Sequence, residues 1–178
     1  NSAMAYYEQK YYEKAAETFE ELIKIDASYN SALQYPNCFF EMARSHNRLG
    51  VKYSNEGKLE AALKEFEAAL IDMENLKTCG SSYNTGLFSK WMPVYEANRD
   101  EILSRKKKID EYLKSADEHN RAGVKYYNDN KYSEAKQEFE AAVRSMQEIR
   151  KLVPAYSAGS YEGKLKIYSD NLKRTEGR

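Results

Sequence analysis

Apolar residues recur at steps of three and four from Leu59 to Leu76. Leu59, Ala62, Leu63, Phe66, Ala69, Leu70, Met73 and Leu76 fall on one stripe of a helix, with Glu60, Lys64, Glu65 and Glu67 mostly off it. A second stripe carries Tyr132, Ala135, Phe139, Ala142, Val143, Met146 and Ile149. Ahead of each stripe lies a helix-like segment whose small and aromatic residues face inward: Leu49, Gly50 and Tyr53 before the first, Ala122, Gly123 and Tyr126 before the second. The polar turns Asn55-Glu56-Gly57-Lys58 and Asn128-Asp129-Asn130-Lys131 divide them, with residues that accept helix-ending backbone angles. Turns this short make the flanking helices antiparallel neighbours, so each unit is predicted to be a helical hairpin.

The two units are near copies. His46-Asn47-Arg48-Leu49-Gly50-Val51-Lys52-Tyr53 returns 73 residues later as His119-Asn120-Arg121-Ala122-Gly123-Val124-Lys125-Tyr126, and Glu65-Phe66-Glu67-Ala68-Ala69 returns at the same offset as Glu138-Phe139-Glu140-Ala141-Ala142. Repetition at fixed spacing marks a stacked array, in which each unit buries its apolar face against a neighbour.

The spacing His46-x2-Leu49-Gly50-x2-Tyr53 followed by Ala62-x3-Phe66 resembles the tetratricopeptide repeat, as does His119-x2-Ala122-Gly123-x2-Tyr126 followed by Ala135-x3-Phe139. A truncated third match opens the chain: Ala3-x2-Tyr6, Ala15-x3-Phe19 and an ending Ile25-Asp26-Ala27-Ser28-Tyr29. The resemblance implies an all-α, right-handed array of antiparallel hairpins, an α-solenoid. The chain departs from a regular 34-residue repeat, since its matches stand 47 and then 73 residues apart. Second helices run on through Met73 and Leu76, and through Met146 and Ile149; first helices are lengthened by Phe39-Phe40 and Tyr112-Leu113. Helices of ~20 residues are therefore expected.

A third helix belongs to each large unit. It follows Gly80-Ser81-Ser82-Tyr83-Asn84-Thr85-Gly86 with Leu87, Phe88, Trp91, Val94 and Tyr95, and its echo after Tyr156-Ser157-Ala158-Gly159-Ser160-Tyr161 carries Ile167 and Tyr168, with Asn98 matched by Asn171. Nothing from Pro93 to Gly123 breaks a helix, provided that Pro93 sits in a first turn, so the inserted helix can run into the next hairpin. The last copy has a polar face suited to a cap. The expected division within residues 1–178 is a truncated repeat over 1–34, a repeat with inserted helix over 35–106, and a repeat with capping helix over 107–178.

The 28 basic and 28 acidic residues balance, which removes any global field favouring nucleic acid. Acidic residues flank Arg105-Lys106-Lys107-Lys108, which reads as a solvated helix face. No apolar run approaches the ~20 residues of a membrane span, and no signal peptide is visible. Localisation stays open between cytoplasm and, for a chain trimmed of its leader, a bacterial cell envelope. Cys38 and Cys79 lack metal spacing and read as reduced, buried thiols. His46 and His119 hold equivalent places, which favours packing or a helix-surface hydrogen bond over a metal. No phosphate loop or catalytic constellation is recognisable, and no cofactor is implied.

The family resemblance implies a protein or peptide partner held in a concave groove lined by the first helix of each hairpin. With Gly50 and Tyr53 inward, the groove residues are Arg44, Asn47, Val51 and Ser54, then Asp117, Asn120, Val124 and Tyr127. Asn47 and Asn120 can hold a peptide backbone or be tied up inside the array. The family's chaperone-tail clamp needs three regular hairpins with set lysines, a pattern that Asp117 and the inserted helices interrupt. The reading is a non-enzymatic interaction scaffold. The alternatives are an envelope-assembly lipoprotein fragment and a small-ligand or enzymatic helical domain.

Overall fold

A computed structural model describes residues 2–27, 34–79, 82–157, 159 and 161–177. Ser28 and Tyr29 of the first repeat's ending, Gly80 and Ser81, and Ala158 and Ser160 lie outside the described residues. The described chain is all-α, with helices α1 Ser2–Glu8, α2 Tyr12–Ile25, α3 Gln34–Asn55, α4 Leu59–Thr78, α5 Ser82–Asn128, α6 Tyr132–Leu152 and α7 Tyr161–Lys173. It divides into two compact units, residues 1–54 with 60–102, and residues 55–59 with 103–178. None of the described helices is long and apolar enough to cross a membrane.

The turns that make the hairpins share one device. Lys10, Gly57 and Asn130 occupy the same place in successive turns and all have positive φ, 63°, 73° and 62°. After Lys10, the Tyr11 amide donates to the Tyr6 carbonyl at 2.9 Å; after Asn130, Lys131 does the same to Tyr126 at 2.9 Å. This left-handed cap satisfies helix-end carbonyls and reverses the chain at once. Gly57 is further constrained because a Cβ there would lie 2.5 Å from the Ala155 carbonyl oxygen.

In the first unit, Phe19, Phe39, Ala43, Ala69, Met73, Leu76 and Tyr95 join one buried cluster with Ala3 and Ala15. α3 and α4 approach so closely at Gly50 that a Cβ there would stand 2.6 Å from the Phe66 ring. The second unit repeats this contact between Gly123 and Phe139, again at 2.6 Å. Both phenylalanines are 2% exposed. The long-helix expectation holds, with 22, 20 and 21 residues in α3, α4 and α6. Leu49 departs from its expected inward place. It is exposed, because the close approach at Gly50 leaves the neighbouring position on the helix shoulder.

The inserted helix does run into the next hairpin, as the 47-residue α5. Its start lies earlier than expected: residues 82–86 are helical, and Pro93 sits inside the helix rather than in its first turn. Pro93 and Val94 are exposed, while Tyr95, one residue further on, is 1% exposed. Burial of the aromatic face thus carries the helix past a proline that removes one ladder bond.

Truncating Phe66 or Phe139 to Ala should cost about 3–5 kcal/mol, the range for a buried aromatic. Denaturant unfolding of both variants checks this, and losses below about 1 kcal/mol, the surface scale, would contradict the packing described here.

Candidate functional site

A polar cleft of the first unit lies where three elements meet. Lys10 comes from the α1–α2 turn and Tyr12 from the start of α2, Glu41, Arg44, Ser45, Asn47 and Arg48 from α3, and Trp91 and Tyr95 from the first turns of α5; the cleft encloses about 690 Å³. Three cations face one carboxylate, so the lining is electropositive. Arg44 is steadied by Glu41 at 2.8 Å and lies 5.8 Å over the Phe40 ring. Trp91 packs against Tyr95 and Phe40, with centroids 6.1 and 6.3 Å away. The aromatic wall is therefore held by the core behind it, and the charged rim remains open to solvent.

Of the first-unit residues expected in a groove, Arg44 and Asn47 line this cleft; Val51 is exposed and Ser54 half-buried. Asn47 is also engaged internally, since its Oδ1 accepts from Asn98 Nδ2 at 2.8 Å and so ties α3 to α5. The second unit repeats that strut, Asn171 Nδ2 donating to Asn120 Oδ1 at 2.9 Å. Val124 and Tyr127 line a small cavity of about 140 Å³ with Phe139, Asn171 and Arg174.

Asp117 occupies the position of Arg44 and has a different environment. Lys164 Nζ donates to its Oδ2 at 2.6 Å, and the Tyr168 hydroxyl donates to its Oδ1. Burial acts to raise the Asp117 pKa, but these two hydrogen bonds and the nearby Lys164 and Arg121 charges hold it below the usual carboxylate range. Lys164 and Tyr168 stand where the first unit has Trp91 and Tyr95. Lys10, Tyr12, Arg48, Trp91, Tyr95, Lys164 and Tyr168 were not singled out as site residues from sequence. The signal lay in the two copies: Arg44 against Asp117 and Trp91 against Lys164 change together, beside asparagines and tyrosines that do not.

The tetratricopeptide repeat family's sequence pattern matches residues 1–29 and 43–70, which fall on the α1–α2 and α3–α4 hairpins. Two of the hairpins thus match the tetratricopeptide repeat pattern. The chain is also 28% identical over 149 residues to the Hsp70-Hsp90 organising protein of Plasmodium falciparum, a match covering 81% of this chain. It spans 22% of that relative's length. No solved structure matches the chain significantly. Tetratricopeptide repeats together with such a relative support a protein-interaction adaptor and point towards a scaffold.

The histidines of the α3–α4 and α5–α6 hairpins act as cross-helix struts. His46 Nδ1 donates to Glu65 Oε2 at 2.7 Å, and His119 Nδ1 to Glu138 Oε2 at 2.6 Å. Cys38 and Cys79 are free thiols whose pKa burial pushes up, to about 12 and about 11, so neither is an activated nucleophile. Asp72 is the buried anomaly. It is 6% exposed, and its Oδ2 has no hydrogen-bond partner among the described residues. That oxygen lies 3.8 Å from His46 Nε2, and the equivalent residue of the second unit is Ser145. Burial, opposed by His46 and aided by Glu13, raises the Asp72 pKa to about 6.

A carboxyl group whose pKa is raised in the folded state binds its proton more tightly there. Its stabilisation is complete below about pH 4 and is lost as the pH rises through about 6. Asp72→Asn should therefore be more stable than the wild type at pH 8, by about 3 kcal/mol for a shift near two pH units, and indistinguishable from it near pH 4. Urea unfolding at both pH values checks the sign; equal stabilities at pH 8 would contradict the burial cost assigned to Asp72.

Proposed function

We propose that the protein is an adaptor whose first unit grips an acidic peptide segment in the cleft formed by Lys10, Tyr12, Arg44, Asn47, Arg48, Trp91 and Tyr95. The observation that carries this reading is an electropositive rim beside a fixed aromatic wall, on two hairpins of an interaction-repeat family. Arginine forks match carboxylates in pairs, and Trp and Tyr supply contact area at low entropic cost. Val51 and Ser54 continue the same helix face and extend the track for the segment. Proteins of the Hsp70 and Hsp90 classes are the first candidate partners, since the relative is an Hsp70-Hsp90 organising protein.

The probe for this test is a fluorescein-labelled tetra-glutamate with a free C-terminal carboxylate, and the control is its amidated tetra-glutamine counterpart. Anisotropy should rise with the acidic peptide alone and fall with added salt. Replacing both Arg44 and Arg48 by Ala should weaken binding about ten-fold or more, the scale of a lost charge-assisted hydrogen bond. Equal binding of both peptides, or no effect of the double variant, would refute the acidic-segment reading.

A further inference from the structure

The internal repeat allows the two units to be compared position by position. Asn47 and Asn120, Asn98 and Asn171, Arg48 and Arg121, and Tyr95 and Tyr168 correspond at the 73-residue offset and share residue types. Four cleft-lining positions on α3 and α5 differ at the same offset: Glu41, Arg44, Ser45 and Trp91 are replaced by Lys114, Asp117, Glu118 and Lys164. Of these, the counterparts of Arg44 and Trp91 meet in space. Lys164 and Tyr168 clasp the Asp117 carboxylate, with Lys164 Nζ at 2.6 Å, while Arg44, Trp91 and Tyr95 line an open cleft of about 690 Å³.

We propose that Asp117 is a built-in ligand: its carboxylate fills, in the second unit, the place that a partner's carboxylate takes in the first. This rests on the acidic-segment reading of the first cleft. The chain then accepts one acidic segment, in the first unit, and the Arg44/Asp117 and Trp91/Lys164 exchanges set which unit accepts it. A surface salt bridge at full exposure would select little. Here the pair is two-thirds buried on both sides, with side-chain exposures of 30% for Lys164 and 34% for Asp117. The buried Tyr168 adds a second donor to the same carboxylate. An incoming carboxylate must displace a partner already tethered in place, at a high effective concentration. Like-charge repulsion from Asp117 adds to that penalty.

The test is an exchange of the two residues in each direction, read with the tetra-glutamate probe and with helicity and melting of each variant. Asp117→Arg/Lys164→Trp gives the second unit the first unit's pair, and a second binding event should appear, of affinity within about ten-fold of the first. Arg44→Asp/Trp91→Lys gives the first unit the second unit's pair, and probe binding should fall at least about ten-fold with native helicity retained. A folded Asp117→Arg/Lys164→Trp variant that still binds a single probe overturns the inference. Should that variant fail to fold, the reverse exchange decides, and undiminished binding by a folded Arg44→Asp/Trp91→Lys variant overturns it. A wild type that binds no probe overturns the proposed function and this inference together. A wild type that binds one probe through Arg44 and Arg48, with a second-unit exchange that gains nothing, overturns this inference alone.

Discussion

Phe66 lies across Gly50, and Phe139 across Gly123, so closely that any larger side chain on either glycine would enter the ring. Glycine inside a helix costs about 1 kcal/mol relative to alanine. That cost is offset because the absence of Cβ lets the two helices of a hairpin approach until a whole aromatic side chain is buried, a gain of several kcal/mol. The contact sets the spacing of the helix pair. At that spacing His46 reaches Glu65, and His119 reaches Glu138, with nearly the same geometry.

On this shared interior the third helix of each unit is fastened by the same strut, Asn98 to Asn47 in one and Asn171 to Asn120 in the other. The asparagines that most resembled a peptide-gripping pair in sequence are therefore engaged through their carbonyl oxygens with a neighbouring helix. The units differ on the first helix at Glu41, Arg44 and Ser45, replaced by Lys114, Asp117 and Glu118, and on the side of the third helix facing Arg44 or Asp117. There one unit presents Trp91 and the other Lys164, and the difference in charge and shape leaves a cleft in the first and an ion pair in the second.

Hairpins, helix lengths and the burial of Phe66 and Phe139 could be read from sequence because period and repetition report the same face twice. The start of α5 could not, since local propensity at Pro93 does not weigh the burial of Tyr95 two residues on. Asp72 was illegible too, because an acidic residue between Ile71 and Met73 reads as the solvent edge of a stripe; only packing makes it buried. The cleft was half legible. Arg44 and Asn47 follow from the phase of α3, whereas Lys10, Trp91 and Tyr95 come from segments far apart in the chain and meet only in three dimensions.

The two units repeat the same interior contacts and differ at the face that carries Arg44 in one and Asp117 in the other. Amide and indole NMR shifts of the isotope-labelled chain, recorded during titration with tetra-glutamate, probe that difference residue by residue. Shifts should be confined to residues around Lys10, Arg44, Arg48, Trp91 and Tyr95, with the Trp91 indole among the largest. Shifts centred on Asp117, Lys164 and Tyr168, or spread equally over both units, would contradict it.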